Sequence, residues 1–426
     1  MTGPVSDVLM QLEGRVAGRS LWIWGAGNQG RGLAQVLMRL GIPLAGFIDR
    51  LAGDSGANLM GLPVRAPSLV NDERFASGNY VIIASYFFVE EIASSLRAAG
   101  LAEDSDFMSY IRLKPNDYSV DISGTCNLKC ISCPRATRSP DERKLGFMPV
   151  EVFRSVLDKI VAESPFVGNI QLYQWGEPTL HPQLSEIIAY AHEKGVRCAI
   201  SSNLNVKVDY ARILAAKPEW LRISTSGWGD DYEVTHTKGR WPVFLAHLKE
   251  VARLRREFHP EMKVEVYYHL YKHSAGDGLD RFRTLCDELG LELHPVYAYL
   301  VSLDDVLGYS EGKPLPEPAR KASELLLLDL DKGIEIARQY AHLPCDALRC
   351  ININWDASVS HCMMYYYPEA NVAAGNYLDT SLAEIQARRY ASDLCGRCMK
   401  HGIHQYCSSY ARLDTGDGVY PVGEAR

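Results

Sequence analysis

Between Lys114 and Leu300 a short apolar run is followed by a longer amphipathic stretch, and the pair recurs six times. Strands are expected at Tyr118–Ser123, Asn169–Tyr173, Val196–Ser201, Leu221–Thr225, Val264–Leu270 and Leu293–Tyr297. Helices fall between them, for example Pro149–Ala162, Pro182–Lys194, Val243–Arg255 and Leu279–Leu289. Repeated βα units require a parallel sheet, and right-handed crossovers curl six of them into part of a barrel. The expected fold class is therefore α/β, with a partial (β/α)6 barrel left open on one side. Its working side chains should lie at the C-terminal ends of the strands.

Regions on either side of the barrel make the chain longer than one average domain. Residues 1–112 read as a separate βαβ module. Leu21–Trp24 is a buried strand, and it runs into Gly25-Ala-Gly27-Asn-Gln-Gly30. A helix with Leu33, Val36, Leu37 and Leu40 on one face follows, then a strand Leu44–Ile48 that ends at Asp49, and a third strand at Tyr80–Ala84. Glycines at this spacing let backbone approach a phosphate at a helix N-terminus, with the acidic residue about twenty positions on. The other reading is a degenerate module kept for docking or dimerisation. Residues 113–300 form the barrel. Residues 301–426 hold a linker with Pro314, Pro316 and Pro318, a helix around Ala319–Tyr340, and a cysteine-rich end.

Charge excludes some partners. The chain carries 45 Lys plus Arg against 52 Asp plus Glu, a net charge of −7, which offers no footprint for nucleic acid or an anionic membrane. The longest apolar stretch, Tyr80–Val89, is about half of what a membrane span needs, and no secretion signal opens the chain. A cytoplasmic location is expected.

In a reducing compartment, clustered cysteines point to metal or redox chemistry, and there are eleven here. Cys198 and Cys286 sit alone in apolar runs and read as packing. Cys126, Cys130 and Cys133 follow the first barrel strand directly. Three thiolates within eight residues can wrap one cubane and leave its fourth iron without a protein ligand, an open position that a substrate-binding cluster needs. A zinc site would want a fourth Cys or His nearby, and none lies between Asp121 and Arg143.

The C-x3-C-x2-C spacing resembles the radical S-adenosylmethionine (radical SAM) superfamily over the whole barrel region. A second shared mark is Trp175-Gly176-Glu177-Pro178 after the second strand, similar to the family's G-G-E-P turn with its first glycine replaced by Trp. The resemblance implies a 4Fe–4S cluster on Cys126, Cys130 and Cys133. It also implies a methionine-amine site at Trp175, Gly176 and Glu177, and further S-adenosylmethionine contacts at Ser202, Asn203, Ser224 and Ser226. The implied chemistry is reductive cleavage of S-adenosylmethionine to a 5′-deoxyadenosyl radical that takes a hydrogen atom from substrate, with a flavodoxin- or ferredoxin-type electron donor. In several relatives an Asp after strand four accepts a proton; Ser226 stands at that position. Tyr297, Tyr299 and His269 near strand ends, with His294, are the candidates to replace it.

At the C-terminus, Cys345, Cys350, Cys362, Cys395, Cys398 and Cys407 resemble the SPASM or twitch auxiliary-cluster extension, with Ile351–Cys362 similar to its hairpin. Six thiolates are too few for two fully ligated clusters, so one auxiliary cluster is expected. The ligand set is Cys345, Cys362, Cys395 and Cys398, or alternatively Cys345, Cys350, Cys362 and Cys407, with a zinc staple as the other reading. Met363–Tyr367 lines a substrate pocket or packs against this cluster. The N-terminal run resembles the nucleotide-binding domain that precedes sugar O- and N-acyltransferases. That resemblance implies a nucleotide-sugar or CoA-like ligand at Gly25, Gly27, Gly30 and Asp49. Together these imply an oxidoreductase or isomerase acting on a small polar molecule such as a sugar, an aminocyclitol or a nucleotide-linked sugar. The alternatives are modification of a ribosomal peptide and a redox or zinc-dependent scaffold without catalysis.

Overall fold

A computed structural model describes residues 4–50, 58–85, 88–137, 145–366, 374–410 and 413. Two compact units emerge. The smaller comprises Met1–Asp117 together with Leu157–Ile170 and Ala191–Arg197; the larger holds the remaining residues to Arg426.

The smaller unit is built on a six-stranded sheet in the order β3-β4-β2-β1-β5-β6, with β1 Ser20–Trp24, β2 Gly46–Ile48, β3 Asn58–Leu59, β4 Leu62–Arg65, β5 Asn79–Ile83 and β6 Phe107–Ser109. All neighbours are parallel except the short β3–β4 pair. Apolar residues cover both faces, as a parallel sheet requires: Leu33, Val36 and Leu37 with Ile23 and Ile82 on one, Val70, Phe75, Ile92 and Leu96 with Val81 and Ile83 on the other. The segments 157–170 and 191–197, which the sequence reading places in the barrel, group with this unit because their backbones touch it. A Cβ on Gly168 would overlap Gly32 backbone, the Tyr110 hydroxyl donates to the Phe166 carbonyl at 2.6 Å, and Arg39 donates to the Lys194 carbonyl at 2.7 Å.

The larger unit carries an eight-stranded sheet in the order β12-β11-β10-β9-β8-β7-β13-β14. Six strands stand in chain order: β7 Asp117–Val120, β8 Asn169–Gln171, β9 Arg197–Ser202, β10 Trp220–Thr225, β11 Lys263–Leu270 and β12 Glu292–Tyr297. The pairs β7–β8, β9–β10, β10–β11 and β11–β12 are parallel. This is an α/β architecture with sequential βα units, as the periodicity requires. At the β7 edge two further strands join, β13 Cys350–Ile353 and β14 Val359–Ser360, paired antiparallel as a hairpin. The Asp121 N–H donates to the Ile353 carbonyl at 2.8 Å, so the chain after β7 stays tied to the hairpin.

Alternation along the strands separates a lumen from an outer core. On β11, Glu265, Tyr267 and His269 share one face, in register with Glu292, His294 and Val296 of β12. Arg222 and Ser224 of β10 pair with Glu265 and Tyr267 on that same face. Leu270 and Tyr297 pair on the opposite face, where Tyr297 joins the hydrophobic core with Leu300, Leu303, Val306 and Ile334.

Candidate active site

The loop that leaves β7 carries Cys126, Cys130 and Cys133, all partly accessible. Two backbone bonds hold it against a neighbouring segment: Lys129 N–H to the Thr237 carbonyl at 2.9 Å and Ile131 N–H to the Thr235 carbonyl at 3.1 Å. Burial pushes the Cys126 thiol up to about 12, with the negative charges of Glu177 and Cys133 adding to it. Burial also raises Cys130 well above the ordinary thiol range, with Cys133 and Cys126 next in effect. Thiols whose charges oppose one another in this way become thiolates only when a cation gathers them. That donor set fits an iron–sulfur cluster. Tetrahedral zinc, with bonds of about 2.3 Å, would draw its sulfurs to about 3.8 Å. Among the described residues, the one trio of ligand atoms lying within 4.8 Å of one another is Glu265, Glu292 and His294, so neither cysteine set has that spacing.

The turn after β8 closes over this loop. A Cβ on Gly176 would overlap the Ser123 carbonyl oxygen, so glycine is required there. Glu177 N–H donates to the Thr125 carbonyl at 2.8 Å. The Glu177 carboxylate, only 3% exposed, accepts from the Thr179 N–H at 3.1 Å and hydroxyl at 2.6 Å on one oxygen, and from the Asn203 N–H at 2.9 Å on the other. Burial raises its pKa, and these hydrogen bonds oppose the rise. The Asn203 side-chain amide reaches Cys126 Sγ at 3.8 Å and Asn127 Oδ1 at 3.0 Å, while Ser202 Oγ accepts the Leu204 N–H at 3.1 Å. Glu177, Asn203 and Cys126, from three successive strand ends, are thus brought together.

Trp175, in place of the first glycine of the similar G-G-E-P turn, packs edge-on against Tyr366 with ring centroids 5.3 Å apart. The neighbouring Gln174 side chain donates to the Met363 carbonyl at 2.6 Å. Tyr366 of the Met363–Tyr367 run therefore abuts the turn, while Tyr367 lies outside the described residues.

Other expected positions fall elsewhere. Ser224 is half-buried on the lumen face. Ser226 is fully buried, with its hydroxyl bonded to Thr235 and to His236 Nδ1 at 3.0 Å, so its hydroxyl is already engaged within the fold. Tyr297, 1% exposed, packs in the hydrophobic core with Leu300 and Leu303. His269 faces the lumen, where burial, helped by Arg222 and His236, lowers its pKa to about 3 and keeps it neutral near pH 7. The Tyr299 pKa is raised by burial and by the adjacent Cys407. In the smaller unit Asp49 accepts the Ala26 N–H at 2.7 Å, a bond inside the glycine turn. Gly25 adopts a φ of 115°, and a Cβ on Gly30 would overlap the Gly25 carbonyl oxygen.

Near the C-terminus, Cys345, Cys362, Cys395, Cys398 and Cys407 line one cavity, with Met363, Met364 and Tyr365 on its wall. Cys350 is buried at the start of β13. Burial pushes Cys362 up to about 12, with Cys345 and Cys395 contributing, and raises Cys398 and Cys407 likewise. Arg389, 0% exposed, donates to the carbonyls of Ala347, Leu348, Cys350 and His361 at 2.8–3.1 Å. Its charge lowers the pKa of Cys345, Cys362 and Cys395, though burial dominates in each. A buried cation among converging thiols suits a net-negative cluster.

Besides Arg389, two contributors were not anticipated from sequence. Asp121, just past β7, accepts the Trp175 N–H at 3.0 Å and the Gly176 N–H at 3.4 Å, fixing the turn. Trp355, at the hairpin tip, fills the space beside Gly124 and Gly146.

Residues 120–265, from the end of β7 into β11, match the model of the Radical SAM superfamily. This segment is a radical SAM domain. Curated relatives match over shorter or more distant stretches. Fe-coproporphyrin III synthase of Methanosarcina barkeri is 35% identical over 78 residues, 18% of each chain. Mycofactocin maturase MftC of Mycobacterium ulcerans is 25% identical over 207 residues, 44% of this chain and 53% of the relative. The chain thus spans about half or less of these relatives' length. Among solved structures, BtrN in complex with AdoMet and 2-DOIA aligns with a TM-score of 0.40 at 14% identity, covering 69% of this chain and 90% of BtrN. The radical SAM domain holds the cysteine loop, the Glu177 turn and Asn203. Among the described residues no helix is long and apolar enough to cross a membrane.

Proposed function

We propose that this chain is a radical SAM oxidoreductase or isomerase with one auxiliary cluster, acting on a small polar substrate such as a sugar, an aminocyclitol or a nucleotide-linked sugar. The observation that carries the reading is the convergence of Cys126, Glu177 and Asn203 at neighbouring strand ends. Bound there, a 4Fe–4S cluster and S-adenosylmethionine would supply reductive sulfonium cleavage and a 5′-deoxyadenosyl radical.

The chain's own residues have definable parts. Cys126, Cys130 and Cys133 would hold the cluster. Glu177, fixed by Thr179 and Asn203, presents a buried carboxylate to an ammonium group, and a positive partner there offsets its desolvation. Ser202, Asn203 and Ser224 offer polar groups at the strand ends. Trp175 and Tyr366 wall the turn with aromatic surface and exclude water from it. Cys345, Cys362, Cys395 and Cys398 would hold the auxiliary cluster, and Cys407, rather than Cys350, is the alternate ligand. The glycine turn of residues 1–112 supports a nucleotide-type ligand in a Rossmann-like module, and a flavodoxin- or ferredoxin-type protein would deliver electrons.

Anaerobic reconstitution with iron and sulfide, then dithionite and S-adenosylmethionine, tests the reading by the appearance of 5′-deoxyadenosine. Correct iron loading with none of that product would leave a redox or zinc-dependent scaffold instead. A yield that rises with peptide and not with sugar would select ribosomal-peptide modification.

A further inference from the structure

The sulfur of Cys395 faces an imidazole. His361 directly follows β14, is 2% exposed and lines the same cavity as the five cysteines. Its Nε2 lies 3.7 Å from Cys395 Sγ, in the first turn of the helix Asp393–Lys400. The backbone at the ring is pinned as well, since the His361 carbonyl accepts the Arg389 Nε–H at 2.9 Å.

Other sulfurs in the cavity are served by backbone. Cys362 Sγ accepts the Met364 N–H at 3.4 Å, and Cys345 takes hydrogen bonds from the backbone of Leu348 and Ala347. Those donors survive any substitution short of proline. At Cys395 the facing group is a side chain, so the donor is a property of this sequence.

A cysteine bound to iron is a thiolate and can only accept a hydrogen bond. The contact is then favourable only with a ring proton on Nε2. A second acceptor, the Arg389 backbone, also hydrogen-bonds the imidazole. A protonated ring serves both. A neutral ring has one proton for the two, and a bond to a charged acceptor is roughly twice as strong as one to a neutral acceptor, so the thiolate takes it. Nε2 carries the proton in either state. Two ligands on separate irons of a cubane approach different corners, so atoms this close are placed as donor and acceptor. The same spacing would suit two ligands of one zinc ion, but among the described residues no third His, Cys, Asp or Glu ligand atom lies within 4.8 Å of both.

Resting on the reading of one auxiliary cluster, we infer that His361 donates an Nε2–H···S hydrogen bond to the Cys395 thiolate and thereby raises the reduction potential of that cluster. The donor draws negative charge from the sulfur and favours the state with the added electron. His361 is a positioning residue that acts through Cys395.

The test uses the full chain with Cys126→Ala, Cys130→Ala and Cys133→Ala, reconstituted so that the auxiliary cluster alone is present, and follows its reduction by EPR against potential. His361→Leu removes the donor. It should keep the iron and show about a ten-fold lower ratio of reduced to oxidised cluster at the midpoint of the His361 protein, a downward shift of about 59 mV for one electron. His361→Gln, whose amide places an N–H near the Nε2 position, should recover at least half of that shift. In the protein with His361 intact, isotopically labelled histidine should give a weak nitrogen coupling in pulsed EPR, as across a hydrogen bond. Equal midpoints with and without the imidazole overturn the proposal, as does a shift that His361→Gln fails to recover. So does the strong coupling of a directly bonded nitrogen, since His361 would then be a ligand. That coupling is read without any change at His361, so it decides between donor and ligand even where a variant does not load. Absence of a reducible cluster of about four irons before any change at His361 is a different failure, because it removes the auxiliary cluster itself.

Discussion

The indole of Trp355 occupies the space that a side chain on Gly124 would need. Trp355 sits at the tip of the β13–β14 hairpin, and Gly124 is two residues ahead of the first cluster cysteine. The Gly124 N–H also donates to the Gly146 carbonyl at 2.8 Å, and a Cβ on Gly146 would meet the same indole. The hairpin therefore braces the loop that begins the cysteine motif.

Trp355→Ala should leave a void against that loop. Removing a packed Trp costs about 3–5 kcal/mol, and here the loss falls on the segment that places Cys126. The expected result is a lower urea midpoint and a lower yield of the first cluster on reconstitution. Gly124→Ala should reproduce both effects by overpacking. Normal iron loading in both variants would refute the bracing role.

Gly176→Ala tests the turn over the cluster. The added methyl meets the Ser123 carbonyl oxygen, backbone on both sides, so no rotamer change can relieve it. S-adenosylmethionine affinity should fall at least ten-fold. Glu177→Gln is subtler: its amide would face the Asn203 N–H or the Thr179 donors with a donor of its own. A cost of about 1–3 kcal/mol is expected, with product formation falling more than cluster content.

Much of this site was legible in the sequence because its signals are local. The period of strands and helices set the sheet order, and three cysteines in eight residues need no tertiary information to be suspected. What escaped was long-range or a matter of parity. Asp121 meets Trp175 across 54 positions, and Arg389 reaches the Leu348 carbonyl across 41. No motif flags an aspartate that accepts backbone N–H groups or an arginine that binds carbonyls. Tyr297 was singled out as a residue at a strand end, yet its face is set by alternation: it is in register with Leu270, so it turns to the core, while His269 one position earlier turns to the lumen. The smaller unit's claim on segments 157–170 and 191–197 rests on the close approach of Gly168 to Gly32 and on side-chain bonds from Tyr110 and Arg39 to backbone carbonyls, which a hydrophobic pattern does not encode.

Asp121 gives a pH signature. Burial raises its pKa to about 6, with the Trp175 N–H, Arg135 and the Gly176 N–H pulling the other way. An acid whose folded pKa lies above its unfolded value holds its proton more tightly when folded. Stability from this group is therefore greatest at low pH and falls as pH rises through the interval from about 4 to 6. Between pH 5 and 7.5 the wild type should lose about 1–2 kcal/mol relative to Asp121→Asn, which does not titrate. Urea unfolding of the reconstituted protein at four pH values measures the difference; a flat one means that Asp121 titrates normally.

The auxiliary ligand set can be decided by single substitutions. Five cysteines line the C-terminal cavity, and a cubane uses four. Cys345, Cys362 and Cys395 are the ones whose thiolates feel Arg389, and Cys398 is adjacent to all three. Cys407 instead hydrogen-bonds Tyr299, which gives its sulfur a partner other than iron. In a background lacking the first cluster through Cys126→Ala, Cys130→Ala and Cys133→Ala, about four irons per chain should remain. Cys345→Ala, Cys362→Ala, Cys395→Ala or Cys398→Ala should each reduce that content or convert the cluster to a three-iron form visible by EPR. Cys350→Ala and Cys407→Ala should keep about four irons and an unchanged EPR signal on reduction. Loss of the cluster in Cys407→Ala with retention in Cys395→Ala would place Cys407 in the ligand set, and the Tyr299 bond would then be a hydrogen bond to a cluster thiolate that tunes its potential.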